Sequence, residues 1–368
     1  MAEKIEKPKY IELADYLRER IQSGELKVGQ RLPSYVDLYN EHGVSTTTVQ
    51  RACDLLDQEQ LIERRNGSGI YVAAPPSSAW GTIGILGSNS FKAQDMPFYT
   101  QMMDAIHPIM EAQQQRLMYL GKDYTVNRAA LAQVDGVLIC GDRETDPVFD
   151  ELPADLPKVS VLTSVEGMVS VAVDEYRGAR MAVQHLMDAG HTRIACLMEQ
   201  QVWQARRRFA GYRDLMEEQG IEIEPSWTRL MKPIDFTKVS AAQPYLEWAR
   251  WHMQDWLDND WEEANCTALL VQNDVAAIGA IQVLQSAGIS VPEQVSVMGF
   301  DGTDMCDLVS PRLCSVAVPL AQISARAMDL LNRQIAGEKM EPETILLPLS
   351  IREGESVAKV ASVQLKEC

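Results

Sequence analysis

The sequence predicts an α/β protein in two parts: a small N-terminal helical unit closed by a hairpin, and a two-lobed body built on doubly wound parallel sheets. Three observations predict it. Residues 32–72, LPSYVDLYNEHGVSTTTVQRACDLLDQEQLIERRNGSGIYV, hold two short helices joined by a turn, then an apolar-striped helix and a two-stranded hairpin with a basic, glycine-rich tip. Beyond residue 80, short apolar runs with no polar face alternate with helix-like stretches, the mark of parallel strands covered on both sides. And 368 residues exceed what one average core organises.

Taken in order, the apolar positions Ile11, Leu13, Ala14, Leu17 and Ile21 share one face of a helix over residues 10–23, with Gly24 as its stop. Ser34 stands three residues before Asp37, a capping-box start for a short second helix, and Gly43 makes the turn after it. Ser45 caps a third helix with Val49, Ala52, Leu55 and Leu56 inward and Thr46, Thr47, Gln50 and Arg51 outward. Leu61–Glu63 and Ile70–Val72 are strands around the Asn66-Gly67 step, a tight-hairpin signal. This gives a winged helix-turn-helix over residues 1–73 and a linker over 74–80. The two-lobed body spans 81–355 and a tail 356–368. The body strands fall at Thr82–Leu86, Val137–Cys140, Val159–Leu162, Ile194–Met198, Ala268–Val271 and Val295–Phe300, and the chain is expected to cross between lobes near 163–170, 310–315 and 338–343. Residues 221–265 read as a Trp-rich insertion without a motif.

Composition bounds the function. Seven scattered cysteines form no C-x-x-C pair, as in reduced thiols of a cytoplasm, and no apolar run is long enough to span a bilayer. The net charge is −18, but residues 1–75 carry ten basic against twelve acidic side chains, so nearly all the excess lies in the body. Any phosphate contact must come from local placement rather than bulk charge. Enzyme signatures are missing: Gly84-Ile85-Leu86-Gly87 lacks dinucleotide-loop spacing, and no phosphate loop or nucleophile elbow occurs. His185 and His191 straddle the Gly190 helix stop and do not form a metal pair on one face, so neither a metal nor a cofactor is expected.

The stretch GVSTTTVQRACDLLDQEQLIERRNGSGIYV, after LPS, resembles the head of GntR-type transcription regulators over residues 9–73. The stretches VAVDEYRGARMAVQHLMDAGHTRIACL, RRRFAGYRDLM and ALLVQNDVAAIGAIQVLQSAGISVPEQVSVMGFDGTDMCDLVSPRLCSV resemble the LacI/GalR sensor, itself similar to periplasmic sugar-binding proteins, over residues 81–355. The pairing implies a cytoplasmic, homodimeric repressor that binds a double-stranded operator and answers to a small effector, a sugar or sugar derivative. Two departures stand out. Val36, Thr46 and Gln50 occupy positions where the GntR pattern commonly has arginine, and the segment from Met118 to Val134 is shorter than the sensor's usual strand and helix.

In the head, the expected DNA-facing set is Ser45, Thr46, Thr47 and Thr48 at the third helix's first turn, with Gln50 able to read an adenine edge. Arg31, Arg51, Arg64 and Arg65 would clamp phosphates, with Ser34 at the second helix and Gly67 at the wing tip; Lys9 is a weaker candidate. In the body, ligands of such folds sit beyond the carboxyl ends of the strands. Ser88, Asn273 and Asp301 fall there, with Asp274 read as a helix cap. The resemblance implies that Arg208 forks onto the effector, with Arg206 behind it. Phe98, Tyr99 and Trp203 are candidates to stack on a sugar face. Blander readings stay open: Asn273 and Asp301 as turn caps, Arg208 as a solvated charge, the aromatics as core. An alternative function is a sugar-binding module whose head has lost DNA affinity and works through protein contacts.

Overall fold

A computed structural model describes residues 7–22, 25–27, 29–59, 61–65, 68–73, 81–87, 97–122, 125–140, 152–199, 202–231 and 244–360. The Asn66-Gly67 turn, Gly24 and Ser88 lie outside them. The chain divides into two compact units, one of residues 1–84, 114–120 and 126–135, the other of 85–113, 121–125 and 136–368.

The first unit opens with three helices, α1 (Lys9–Gln22), α2 (Tyr35–His42) and α3 (Thr46–Gln58), and the hairpin β1 (Ile62–Arg65) with β2 (Gly69–Val72). Both expected caps form. Ser34 and Asp37 close a full capping box, Gly43 ends α2 in the left-handed region, and the Ser45 side chain accepts from the Thr48 amide. Leu13, Ala14 and Leu17 of α1 meet Val49, Ala52, Cys53 and Leu56 of α3 in one core that Leu38, Ile62 and Val72 complete. Cys53 takes the inward position expected of Leu55, which lies half-buried at the margin. The two arms of the Arg18 guanidinium donate to Glu59 at 2.7 and 2.8 Å, tying α1 to the end of α3. Also in this unit are the leading half of β3 (Gly81–Gly87) and β4 (Gln115–Tyr119), where the Thr82 amide donates to Asp135 at 2.7 Å.

The second unit contains α4 (Pro97–Ala112), the two-residue strand β5 (Gly121–Lys122), β7 (Gly136–Cys140), β8 (Lys158–Leu162) and β9 (Ser170–Val173); β6 (Thr125–Val126) falls at the division between the units, and the short helix α5 (Arg128–Leu131) belongs to the first. There follow α6 (Glu175–Asp188), β10 (Ile194–Glu199), α7 (Trp203–Glu218), β11 (Thr228–Met231), α8 (Pro244–Asn259), α9 (Trp261–Ala264), β12 (Ala268–Val271) and α10 (Asp274–Ser286). The chain ends with β13 (Ser296–Asp301), β14 (Cys314–Ala317), α11 (Leu320–Ile335), β15 (Thr344–Leu347) and β16 (Ser350–Arg352). Strands β15, β9, β8 and β7 pair in parallel, and the trailing half of β3 follows them. A second sheet runs β11-β10-β12-β13-β14-β16, parallel except for β16. Strands β7, β9, β10 and β12 are buried at every residue, as two-sided cover requires.

Two sequence expectations need correction. The chain passes between the sheets after Val173, between Ala317 and Leu320, and between Leu347 and Ser350, each later than expected. Short strands explain the shift: β9 and β14, four residues each, belong to the sheet being left, and neither stands out from its surroundings in sequence. The Trp-rich stretch is also no appendage. It supplies the edge strand β11 and the cover helix α8, and Trp227, Trp248, Trp256 and Trp261 are buried, with Trp256 Nε1 donating to the Ser226 carbonyl.

Two glycines are set by close approach. A Cβ on Gly211 would strike the Tyr176 carbonyl oxygen where α7 crosses α6, and one on Gly178 would lie 2.6 Å from the Phe300 ring.

His252 on α8 lies edge-on to Trp248 and Trp251, at 5.1 and 4.5 Å between ring centroids. Burial, with help from Arg229, pushes its pKa down to about 4. The unfolded chain takes up that proton near pH ~6.5, so from there down to about 4 it binds more protons than the folded chain. Stability contributed by the neutral ring is therefore present above that window and is lost as pH falls through it. The melting temperature is expected to drop between pH 7 and 4, and His252→Gln should flatten part of that drop in thermal melts.

Candidate functional site

In the head, the first turn of α3 presents Thr46 and Thr47 to solvent, with Gln50 and Arg51 exposed one turn on. Thr48 is turned partly inward, its hydroxyl 2.8 Å from that of Ser45, and Ser34 spends its hydroxyl on Asp37. The four expected arginines divide. Arg31 and Arg51 form no ion pair with any described residue. Arg64 is held by Asp54 and Asp57 of α3, and Arg65 by Glu63 at 2.5 Å while it lies over the Tyr71 ring. These are exposed contacts worth about 0–1 kcal/mol each, so phosphate oxygens can replace the carboxylates at little cost. Lys9 is exposed at the start of α1. Sequence reading missed the uncovered α2 surface of Tyr35, Val36 and Tyr39, because a helix with so few buried residues leaves no clear stripe.

In the body, the carboxyl ends of β12 and β13 bring Gln272, Asn273 and Asp301 to one edge of the second sheet, and Arg208 reaches it from α7. Arg208 is buried, against the reading of a solvated charge. Its Nε donates to Glu175 at 2.7 Å, one terminal nitrogen donates to the Gln272 carbonyl, and the other stands 3.5 Å from an Asp301 carboxylate oxygen. The guanidinium lies 3.6 Å above the centre of the Phe300 ring, a desolvated cation–π contact. Burial works against its charge, and Glu175 and then Asp301 outweigh that, so it stays protonated. Burial also pushes the Asp301 carboxyl well above its ordinary value, with Arg208 opposing. Glu175 is thus the arginine's nearer carboxylate partner, and Asp301, held at φ 112, is the more distant one.

The cap of α10 expected of Asp274 is made by Asn273 instead. Asn273 caps α10, accepting from the Ala276 amide at 2.8 Å. Asp274 is wholly buried and accepts from the Thr303 amide, the Thr303 hydroxyl and the Ser315 hydroxyl, at 2.7, 2.8 and 2.5 Å, locking three segments behind the site. Arg206 is exposed on α7 and does not support Arg208; Glu175 does. Glu175 escaped sequence reading because an acid in a helix's first turn ordinarily signals only the helix dipole. Phe98 and Tyr99 meet edge-on at 5.6 Å at the start of α4, and Trp203 is half-buried at the start of α7. Gln204 donates to Thr163 at 3.4 Å, from α7 to the segment just past β8.

Residues 9–72 match the family of bacterial regulatory proteins called gntR, and residues 183–357 match the periplasmic binding protein-like domain. The chain is a DNA-binding transcription regulator with a gntR head and a periplasmic-binding-protein-like sensor. The regulator is 26% identical to the HTH-type transcriptional regulator DegA of Bacillus subtilis, over 85% of its own length and 94% of DegA. It is 26% identical to the transcriptional repressor PurR of Vibrio vulnificus, over 83% and 94%. Its relatives are regulators, not enzymes. In fold it is similar to a protein from Actinobacillus succinogenes (TM-score 0.63, 24% identical, 75% of this chain and 99% of that one). It is similar also to the regulator CelR solved with cellobiose (TM-score 0.62, 21% identical, 85% and 91%). Among the described residues no helix is long and apolar enough to cross a membrane.

Removing one member of a buried pair leaves the other charge uncompensated, at ~3–5 kcal/mol. Arg208→Ala is therefore expected to destabilise the regulator by about that much in denaturant unfolding. The double variant Arg208→Met with Glu175→Gln should lose markedly less than the two single variants together.

Proposed function

We propose that the regulator is a cytoplasmic repressor whose operator affinity is set by a small hydroxyl-bearing effector, a sugar or sugar derivative, bound at the carboxyl edge of the second sheet. The observation that carries the reading is the buried Arg208 held between Glu175 and Asp301 at the ends of β12 and β13. A buried arginine beside a carboxyl at the strand ends offers donors and acceptors together, the pattern a polyol's hydroxyls satisfy. Asn273, Trp203, Phe98 and Ser88 complete the effector-binding set in this proposal. The fold neighbour CelR, solved with cellobiose, fits the same class.

Closure of the two lobes on the effector changes operator affinity only if the effector binds the open and closed forms unequally. Two regulators paired about a two-fold axis set two heads on a pseudo-palindromic operator, each with α3 in a major groove. Arg31, Arg51 and the α3 residues Thr46, Thr47 and Gln50 contact DNA directly. Ser34, Ser45 and Thr48 shape the helix starts, and Arg64, Arg65 and Gly67 place the wing.

Thermal melts against monosaccharides, sugar acids and nucleosides test the effector. A true effector at a hundred times its dissociation constant adds about 2.7 kcal/mol of stability. Arg208→Lys, which keeps a positive charge opposite Glu175 but loses the fork, should abolish that shift and leave operator binding intact; an undiminished shift would place the effector elsewhere. Arg51→Ala should weaken binding to all operator sequences alike and reduce the slope of log affinity against log salt by about 1, with effector affinity unchanged.

A further inference from the structure

On the far strands of the second sheet, three side chains from three different elements converge. Cys314 begins β14, Glu353 directly follows β16, and His185 lies in the last turn of α6, which packs on β14. The antiparallel register pairs Ser315 with Arg352, so the next step outward sets Cys314 opposite Glu353. The imidazole nitrogen, the thiol sulfur and a carboxylate oxygen all lie within 4.8 Å of one another. We propose that His185, Cys314 and Glu353 bind a divalent metal ion of the zinc class, with the fourth position open to water.

The contacts around each group favour this over plain packing. His185 Nε2 and the nearer Glu353 oxygen stand 3.9 Å apart, too far for a hydrogen bond, and neither group bonds any other described residue. They face each other across a gap of the right size for an ion. Tetrahedral zinc, with bonds of about 2.0 Å to nitrogen or oxygen and about 2.3 Å to sulfur, sets its ligands roughly 3.3–3.5 Å apart. The required closure is small. The Glu353 side chain is 75% exposed and the His185 ring 25%, so both have room to turn.

The sulfur is the fixed point. Cys314 is 1% exposed, its amide donates to the Ser356 hydroxyl at 2.8 Å, and its Sγ accepts the Gly354 amide at 3.1 Å. An amide aimed at sulfur stabilises a thiolate. Burial pushes the thiol's pKa up, so the free site holds the thiol form, and metal binding forms the sulfur–metal bond as the thiol proton leaves to water. Thiolate and carboxylate then balance the two charges of the ion, and imidazole joins as a neutral ligand. Sulfur with nitrogen selects zinc-like ions over magnesium or calcium. Considered with His191 alone, His185 gave no metal pattern; the fold supplies different partners, far away in sequence. A bound ion would fasten the segment after β16 to α6 and β14.

Titration of the reduced, full-length regulator with Co²⁺ tests the site. Expected are one ion bound per chain, a sulfur-to-cobalt charge-transfer band in the near ultraviolet, intense tetrahedral d–d bands, and displacement by Zn²⁺. C314S should remove the charge-transfer band, and H185Q and E353Q, both at partly exposed positions, should each weaken binding by more than about tenfold. Absence of the band, its persistence in C314S, or unchanged affinity in both H185Q and E353Q would overturn the proposal.

Discussion

A guanidinium withdrawn from water must be matched at each of its donors, and the sensor is organised around meeting that demand for Arg208. Three elements contribute. The first turn of α6 brings Glu175, the end of β12 offers the Gln272 carbonyl, and the end of β13 brings Asp301 with Phe300 just beneath the cation. Phe300 fits there only because α6 carries Gly178 rather than a residue with a Cβ. Behind this layer Asp274 gathers Thr303 and Ser315, so the segment after β13 and the start of β14 are held at one separation. If the proposed effector binds here, these hydrogen bonds are already made, and binding energy would not be spent on forming them.

The head obeys a different logic. Its core is small and apolar, and the wing arginines Arg64 and Arg65 are exposed and paired with neighbouring acids. Opposed acids beside Arg64 and Arg65 lower the attraction for arbitrary DNA, since a phosphate must take the place of a carboxylate rather than of water. With Thr46, Thr47 and Gln50 as the proposed base readers, discrimination would depend on how well they fit the bases.

Much of this was legible in the sequence where a residue announces its backbone role. Ser34, Gly43 and Ser45 marked the ends of α2 and α3 because caps are local chemistry, and the central parallel strands showed as unbroken apolar runs. Arg208 and Asp301 stood in recognisable stretches. What stayed hidden was non-local. Glu175 and Arg208 lie 33 positions apart, and nothing in EYRGAR shows that its glutamate is buried. Asn273 and Asp274 are adjacent and both suited to capping; only the approach of Thr303 and Ser315 decides which one caps. Edge strands such as β11 and β16 are too short for periodicity to find.

The chain passes between the two sheets three times, after Val173, ahead of Leu320 and ahead of Ser350. One covalent tie would leave two lobes free to swivel and twist in any direction. Three ties remove more of that freedom than one, as the pins of a door restrict it to fewer movements than a single pin would. The proposed effector, pulling on the lobes, would have few movements to choose among. Such a restriction would turn a few hydrogen bonds into a reproducible movement rather than a diffuse loosening.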